Sequence, residues 1–214
     1  QCFHLPYALV MLPEGKMSSR EGNVILFSQL RKEIVENIQS THLEEHRKDW
    51  SRKELDETSQ KIAVAAIKYG MLNQDSNKNI VFSMDDWLVS EGDTGTYLVY
   101  AYVRIRSIGR KISDKVSPDV DFSLLTHTNE KKLLVQMLDF NKIVFNAGEQ
   151  FRPSLLARML YEFSKNFSRA YNTCSVINAE TEQLKAARLL LFHCVAETLH
   201  QGLNLLGITP PERM

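Results

Sequence analysis

The chain has 214 residues, of which 26 are basic and 26 acidic, so its formal charge at neutral pH is zero. This balance excludes a protein that attracts polyanions through its overall charge, and any basic surface must be local. Three cysteines, an odd number without a C-x-x-C pair, predict free thiols in a cytosolic protein rather than a disulfide framework or a zinc site.

The first segment is a short apolar run followed by a polar loop. The run, FHLPYALVML, is strand-like and has no obvious partner strand nearby in the sequence. The loop, EGKMSSREGN over residues 14–23, has two glycines that loosen its backbone, and its cations and hydroxyls are suited to binding a polyanion. We expect the loop to contact phosphate and residues 1–27 to be the remnant of another domain.

From Phe27 onward the sequence predicts a mainly α-helical bundle with short connections. Ser28 and Ser83 are candidate N-caps, and Pro153 and Gly207 are typical start and stop signals. The stretch IVF just before Ser83 predicts a brief extended segment. The predicted helices are one from about Ser28, one with Ile62, Ala66 and Tyr69 on a single face, and then residues 94–112, 130–147, 154–173 and 180–205.

Two motifs resemble metal sites but lack an essential residue. His42 and His46 lie one helical turn apart, yet Leu43 stands where a zinc protease has its glutamate, and no third ligand is apparent. The loop from Asp75 has the spacing of a calcium loop, but Ile80 occupies the position that requires glycine. We therefore predict no protein metal site.

The predicted helix at residues 94–112 is basic. From Tyr97 to Lys115 the chain has five basic residues and one acidic residue. Tyr97, Tyr100 and Arg104 recur at helical spacing, so two aromatic rings and a guanidinium share one face. Aromatic rings stack on bases and arginine pairs with phosphates, which makes this face a candidate RNA-binding surface. The alternative is that both tyrosines belong to the core.

The next-to-last predicted helix has a second, mostly basic face. Arg158, Glu162, Lys165 and Arg169 align at helical spacing, opposite a row of apolar residues. A face of this kind is most often an ordinary solvated surface. Together with the basic helix at residues 94–112, it is compatible with RNA binding.

Three stretches resemble one known family. GKMSSREGNV resembles the second signature of class I aminoacyl-tRNA synthetases, usually written K-M-S-K-S, in the form seen in arginyl-tRNA synthetases. The E-G-D-T segment at residues 91–94 with the Y-x-x-Y-x-x-x-R helix after it, and the ending LNLLGITPPERM, resemble the same family. The alternatives are another class I synthetase with a related bundle, cysteinyl or methionyl, and a non-catalytic RNA-binding helical module.

The resemblance implies a division into three parts. Residues 1–27 are then a remnant of the α/β catalytic domain with the K-M-S-K-S-like loop, residues 28–115 a connecting helical region and the start of the anticodon-binding bundle, and residues 116–214 the rest of that helical bundle. The other class signature, H-I-G-H, is absent from these residues. We therefore expect the isolated chain to be inactive and the complete enzyme to be an arginine–tRNA ligase.

The resemblance also implies substrates and site residues. The complete enzyme joins L-arginine to tRNA(Arg) through arginyl-adenylate, with ATP and substrate-associated Mg²⁺. It is expected to be cytoplasmic, without a membrane partner and monomeric. Carried over by position, the catalytic residues are Lys16, Ser18, Ser19 and Arg20, the ATP-binding residues are these four with Met17, and the tRNA-binding residues are Tyr171, Met214, Tyr97, Tyr100 and Arg104.

Two positions depart from the pattern of the resembled family. Ser19 stands where many class I enzymes place a catalytic lysine, so Lys16 and Arg20 must supply the positive charge. Ser175, four residues after Tyr171, stands where some relatives have a tryptophan, which puts base stacking at that position in doubt.

Overall fold

The computed structural model describes residues 2–13, 15–16, 26–112 and 116–214. Over these ranges the fold is mainly α-helical, as predicted, with one very small sheet. The strands are β1 (Val10–Leu12), β2 (Gly15–Lys16) and β3 (Ile80–Val81). The helices are α1 (Phe27–Thr41), α2 (Arg52–Leu72), α3 (Met84–Trp87), α4 (Gly95–Lys111), α5 (Thr128–Glu149), α6 (Pro153–Thr173) and α7 (Glu182–Leu205).

Most helix ends follow local capping chemistry. Ser83 and Thr94 each accept a hydrogen bond from the backbone N–H three residues later, at 3.3 and 3.1 Å. After α7 the backbone reverses at Gly207, whose φ is 71°. The predicted cap at Ser28 is wrong, because α1 already begins at Phe27 and Ser28 lies inside its first turn. The N-cap residue, Leu26, makes no side-chain hydrogen bond to the helix.

The N-terminal run has a strand partner on each side. β1 pairs antiparallel with β2, where Met11 lies opposite Lys16, and parallel with β3, where Val10 lies opposite Ile80. We expected no partner nearby in the sequence, and β2 contradicts this. β2 has only two residues, which is too short for the alternation that identifies a strand in a sequence.

A polar clamp joins this sheet to the helical bundle. Leu9 donates its backbone N–H to the side chain of Asn79, at 3.1 Å, in the loop before β3. In the same loop Asp75 accepts hydrogen bonds from Ser154 at 2.7 Å and from Arg152 at 2.9 and 3.0 Å. The hydrogen bond from Ser154 and those from Arg152 hold the pKa of Asp75 below its ordinary value. The strand before the polar loop is thereby connected to the start of α6.

The core forms where α2, α4, α6 and α7 pack together. Gly95 allows the closest approach, since a Cβ there would lie 2.1 Å from the carbonyl oxygen of Ala65 on α2. The hydroxyl of Tyr69 lies 2.5 Å from Asp93 Oδ1 and 3.1 Å from the carbonyl oxygen of Ala157, and burial raises its pKa. No helix in the described ranges is long and apolar enough to cross a membrane.

Candidate nucleic-acid interface

One face of α4 meets the C-terminal end of α6. At 100° per residue, Tyr97, Tyr100 and Arg104 lie within about 60° of one another around α4. The guanidinium carbon of Arg104 lies 3.8 Å from the ring centroid of Tyr171 on α6 and 5.9 Å from that of Tyr100. The structure thus brings Tyr100, Arg104 and Tyr171 together in one cluster.

No carboxylate of the described residues forms a salt bridge with Arg104. Among the described residues its recorded partners are the rings of Tyr100 and Tyr171, and it forms no salt bridge with any of them. A guanidinium held against aromatic rings keeps its N–H edges directed away from the ring. Arg104 is therefore suited to donate to a phosphate or to a base edge.

The two tyrosines on α4 differ in environment. Tyr97 is half-buried, with its ring edge-on to Tyr161 at a centroid distance of 5.9 Å and its hydroxyl 3.1 Å from Ser168 Oγ. Tyr100 is 41% exposed and lies at the surface. The alternative that both rings belong to the core therefore describes Tyr97 in part and does not describe Tyr100.

Tyr171 is held in place by the elements around it. Its half-buried ring packs against the fully buried Phe167, at a centroid distance of 5.9 Å. Just after it, Arg188 of α7 donates to the carbonyl oxygen of Ser175 at 2.9 Å and to the buried Glu130 at 2.7 Å. The segment that follows α6 is therefore joined to α7, and through Arg188 to α5.

The last residues of the chain lie along α4. Arg106 donates to the carboxylate of Glu212 at 3.0 Å, and Arg110 donates to the backbone carbonyl of Glu212 at 2.7 Å. Arg213 donates to Glu54 on α2 at 2.7 Å. These polar contacts join the tail to α4 and α2.

The tail and Tyr171 contact different sides of α4. Arg106, which holds Glu212, lies about 160° around the helix from Arg104, which covers Tyr171. Burial and the nearby Glu212 raise the pKa of Tyr102, one turn before Arg106, to about 12. The terminal Met214 is half-buried and packs against the core. Tyr171 therefore lies in the cluster with Arg104, whereas the tail residues just before Met214 contact another side of α4.

The polar loop lies mostly outside the described residues. Lys16 is the last residue of β2, and its backbone pairs with Met11. The other four residues expected to contact ATP, Met17, Ser18, Ser19 and Arg20, lie outside the described residues. Their assignment stays a prediction.

Sequence reasoning missed one residue of this surface, Tyr161. The ammonium of Lys165 lies 4.9 Å from the ring centroid of Tyr161, and it also bonds Glu162 at 2.9 Å. The helical spacing predicts Lys165 only as part of a basic face. The signal in the sequence was the spacing of Tyr161 and Lys165, four residues apart on one helix.

The two histidines considered as metal ligands have protein partners. His42 Nε2 lies 2.8 Å from the carbonyl oxygen of Leu88, and its Nδ1 lies 3.3 Å from Ser90 Oγ. The ring of His46 stacks on Trp50 at a centroid distance of 4.5 Å. The described part of the chain contains no cluster of three or more metal-ligating side chains.

Comparisons with curated proteins find arginine–tRNA ligases over the whole chain. The chain is 38% identical over 213 residues to the arginine–tRNA ligase of Bdellovibrio bacteriovorus and 35% identical over 213 residues to that of Clostridium acetobutylicum. Each alignment covers 100% of this chain and 37% of the relative. The chain therefore spans little more than a third of the length of these relatives.

Solved structures give the same result. The arginyl-tRNA synthetase of Thermus thermophilus superposes with a TM-score of 0.86 and 30% identity, covering 97% of this chain and 35% of that one. For the arginyl-tRNA synthetase of Plasmodium falciparum the TM-score is 0.80 and the identity 27%, over 97% of this chain and 34% of that one. Residues 98–214, more than half of the chain, match the family model described as the DALR anticodon binding domain. The chain, whose α6 and most of α4 lie in this match, belongs to the DALR anticodon-binding domain family.

Proposed function

We propose that this chain is the C-terminal part of an arginine–tRNA ligase and that it binds the anticodon of tRNA(Arg). The observation that carries the proposal is the cluster of Tyr100, Arg104 and Tyr171 at the meeting of α4 and α6. It combines rings that can stack on unpaired bases with a cation that has no carboxylate partner among the described residues. Similarity to arginine–tRNA ligases over the whole chain favours arginine as the amino acid.

The first part of the chain has a separate role in the proposal. Residues 1–27 belong to the catalytic domain, residues 28–115 connect it to the anticodon-binding bundle, and residues 116–214 complete that bundle. The loop from Lys16 to Arg20 contacts the ATP phosphates, and Mg²⁺ enters with ATP rather than through a site of this chain. Replacing Lys16 with alanine in the complete enzyme tests this role, and an unchanged rate of arginyl-adenylate formation would reject it.

Two other functions compete with this one. A cysteinyl or methionyl enzyme, or a non-catalytic RNA-binding module, would also use a helical bundle with a basic face. The E-G-D-T segment at residues 91–94 and the R-M terminus are features of the arginyl pattern and favour an arginine–tRNA ligase.

We further propose that the protein is a monomer in the cytoplasm, with no membrane partner.

The test is a binding titration of the 214-residue chain with three transcripts: tRNA(Arg), the same tRNA with a methionine anticodon, and tRNA(Arg) without its anticodon arm. We expect tRNA(Arg) to bind at least about tenfold tighter than the other two, which corresponds to the loss of one base contact of about 1–3 kcal/mol. Equal affinity for all three transcripts would reject anticodon recognition. Addition of arginine and ATP to the isolated chain should give no pyrophosphate exchange.

A further inference from the structure

A second pair of an aromatic ring and a cation lies on α6, two to three turns before Tyr171. Lys165 places its ammonium 4.9 Å from the ring centroid of Tyr161. The side chain of Lys165 remains 33% exposed although it bonds Glu162. The edge of the Tyr161 ring is fixed by Tyr97 of α4, at a centroid distance of 5.9 Å. This pair thus has the same components as the cluster around Arg104, a ring and a cation at the junction of α4 and α6.

The two pairs border the same side of α4. Tyr97, which contacts Tyr161, and Arg104, which covers Tyr171, lie about 20° apart around α4. Ser168, between Tyr161 and Tyr171 on α6, bonds the hydroxyl of Tyr97 and closes the junction between the two helices. We name the row formed by Tyr161, Lys165, Tyr97, Tyr100, Arg104 and Tyr171 the α4–α6 seam. A ligand that binds at one end of the seam can continue to the other without crossing a helix.

The length of the seam fits a short stretch of RNA. Tyr161 and Tyr171 are separated by about 15 Å along the axis of α6, at 1.5 Å per residue. A stacked strand advances about 3.4 Å along its helix axis per nucleotide, so this distance corresponds to about four nucleotides of a stacked strand. A single base cannot reach both rings, whereas the loop of an anticodon arm can.

We propose that Tyr161 and Lys165 form a second subsite for single-stranded RNA, occupied by a nucleotide of the anticodon loop about four positions from the one at Tyr171. This proposal rests on the proposed function. Lys165 contacts the phosphate of that nucleotide, and its base or ribose packs on the ring of Tyr161. In the free protein Glu162 holds the ammonium of Lys165 near the ring of Tyr161. When RNA binds, the phosphate replaces Glu162 as the partner of the ammonium.

A simpler explanation of the Lys165–Glu162 pair is that it only stabilises α6. Exposed pairs at this spacing contribute little to stability, and they leave RNA binding unchanged. The two explanations differ in the salt dependence of binding. Each lysine that neutralises a phosphate of single-stranded RNA adds about 0.7 to the slope of log affinity against log salt concentration, and a lysine that binds only protein adds nothing.

The experiment measures this slope for the 214-residue chain with a synthetic anticodon stem–loop of tRNA(Arg). We expect Lys165→Gln to lower the slope by about 0.7 and Lys165→Arg to keep it. Tyr161→Leu should weaken binding about tenfold, as loss of one stacking contact does, while Tyr161→Phe should bind like the parent. Lys32→Gln is the matched control, because Lys32 also pairs with a glutamate on its own helix but lies on α1.

The outcomes separate this inference from the proposed function. Parent-like slopes for Lys165→Gln together with parent-like affinity for Tyr161→Leu overturn the second subsite and leave anticodon binding intact. A parent chain that does not bind the stem–loop overturns both. An equal decrease in slope for Lys32→Gln and Lys165→Gln also overturns the subsite, since the effect would then be one of overall charge.

Discussion

Arg104 covers one face of Tyr171, with its guanidinium carbon 3.8 Å from the ring centroid. The pair joins α4 to α6, so two helices contribute to the proposed binding surface. A base that stacks on Tyr171 must therefore use the other face of the ring or displace the guanidinium. In either case Arg104 and Tyr171 are expected to act together, which the first two predictions test.

Replacement of Tyr171 should weaken RNA binding more than it weakens the fold. We expect Tyr171→Leu to bind tRNA(Arg) about tenfold more weakly, because leucine retains the apolar contact with Phe167 but cannot stack on a base. Tyr171→Phe should bind like the parent. Fluorescence titration gives the affinities, and thermal denaturation should show nearly unchanged melting temperatures. The same loss of affinity for a tRNA without its anticodon arm would place Tyr171 in the core instead.

Arg104 is expected to contribute both charge and shape. We predict that Arg104→Gln lowers the salt slope of stem–loop binding by about 0.7 and weakens binding, because one phosphate contact is lost. Arg104→Lys should keep the slope but recover only part of the affinity, since an ammonium lacks the planar surface that lies on Tyr171. Arg47→Gln is the control, because Arg47 lies outside α4 and α6 and forms a salt bridge with Glu44 at 2.8 Å. Full RNA affinity of Arg104→Lys would mean that Arg104 contributes only its positive charge to binding.

Deletion of Met214 separates two roles of the C-terminal tail. If Met214 contacts RNA, its deletion should weaken tRNA(Arg) binding about tenfold with little change in melting temperature, because Glu212 and Arg213 still hold the tail to α4 and α2. Isothermal titration and thermal denaturation of the same samples measure both quantities. A lower melting temperature with unchanged RNA affinity would show that Met214 serves only the core.

The clamp at Asp75 should give a pH-dependent contribution to stability. Ser154 and Arg152 hold the pKa of this carboxyl below its unfolded value of about 3.9, so its contribution is present above that pH and is lost as the pH falls through the folded pKa. We predict that Asp75→Asn lowers the free energy of unfolding at pH 7 and that the difference from the parent narrows below about pH 4. Urea denaturation across this range measures it. A difference independent of pH would mean that the charge of Asp75 is irrelevant.

The helices could be predicted from sequence because their signals are local. Caps such as Ser83 and Thr94, and the apolar periodicity behind them, depend on residues within a few positions of one another. The contact of Arg104 with Tyr171 could not be predicted, since it depends on how α4 and α6 cross. β2 was missed for a different reason, because two residues show no alternation. The family resemblance identified the candidate residues, and the packing of the helices determines which of them meet.

The most direct test of anticodon binding at the seam is photochemical crosslinking. A tRNA(Arg) transcript with 4-thiouridine in place of a base of the anticodon is bound to the 214-residue chain and irradiated, and the crosslinked peptides are identified by mass spectrometry. We expect crosslinks to peptides of α4 and α6 that contain Tyr100, Arg104 or Tyr171, and we expect these crosslinks to be lost when the anticodon arm is supplied as competitor. Crosslinks confined to α1, α5 or the N-terminal strands would contradict it.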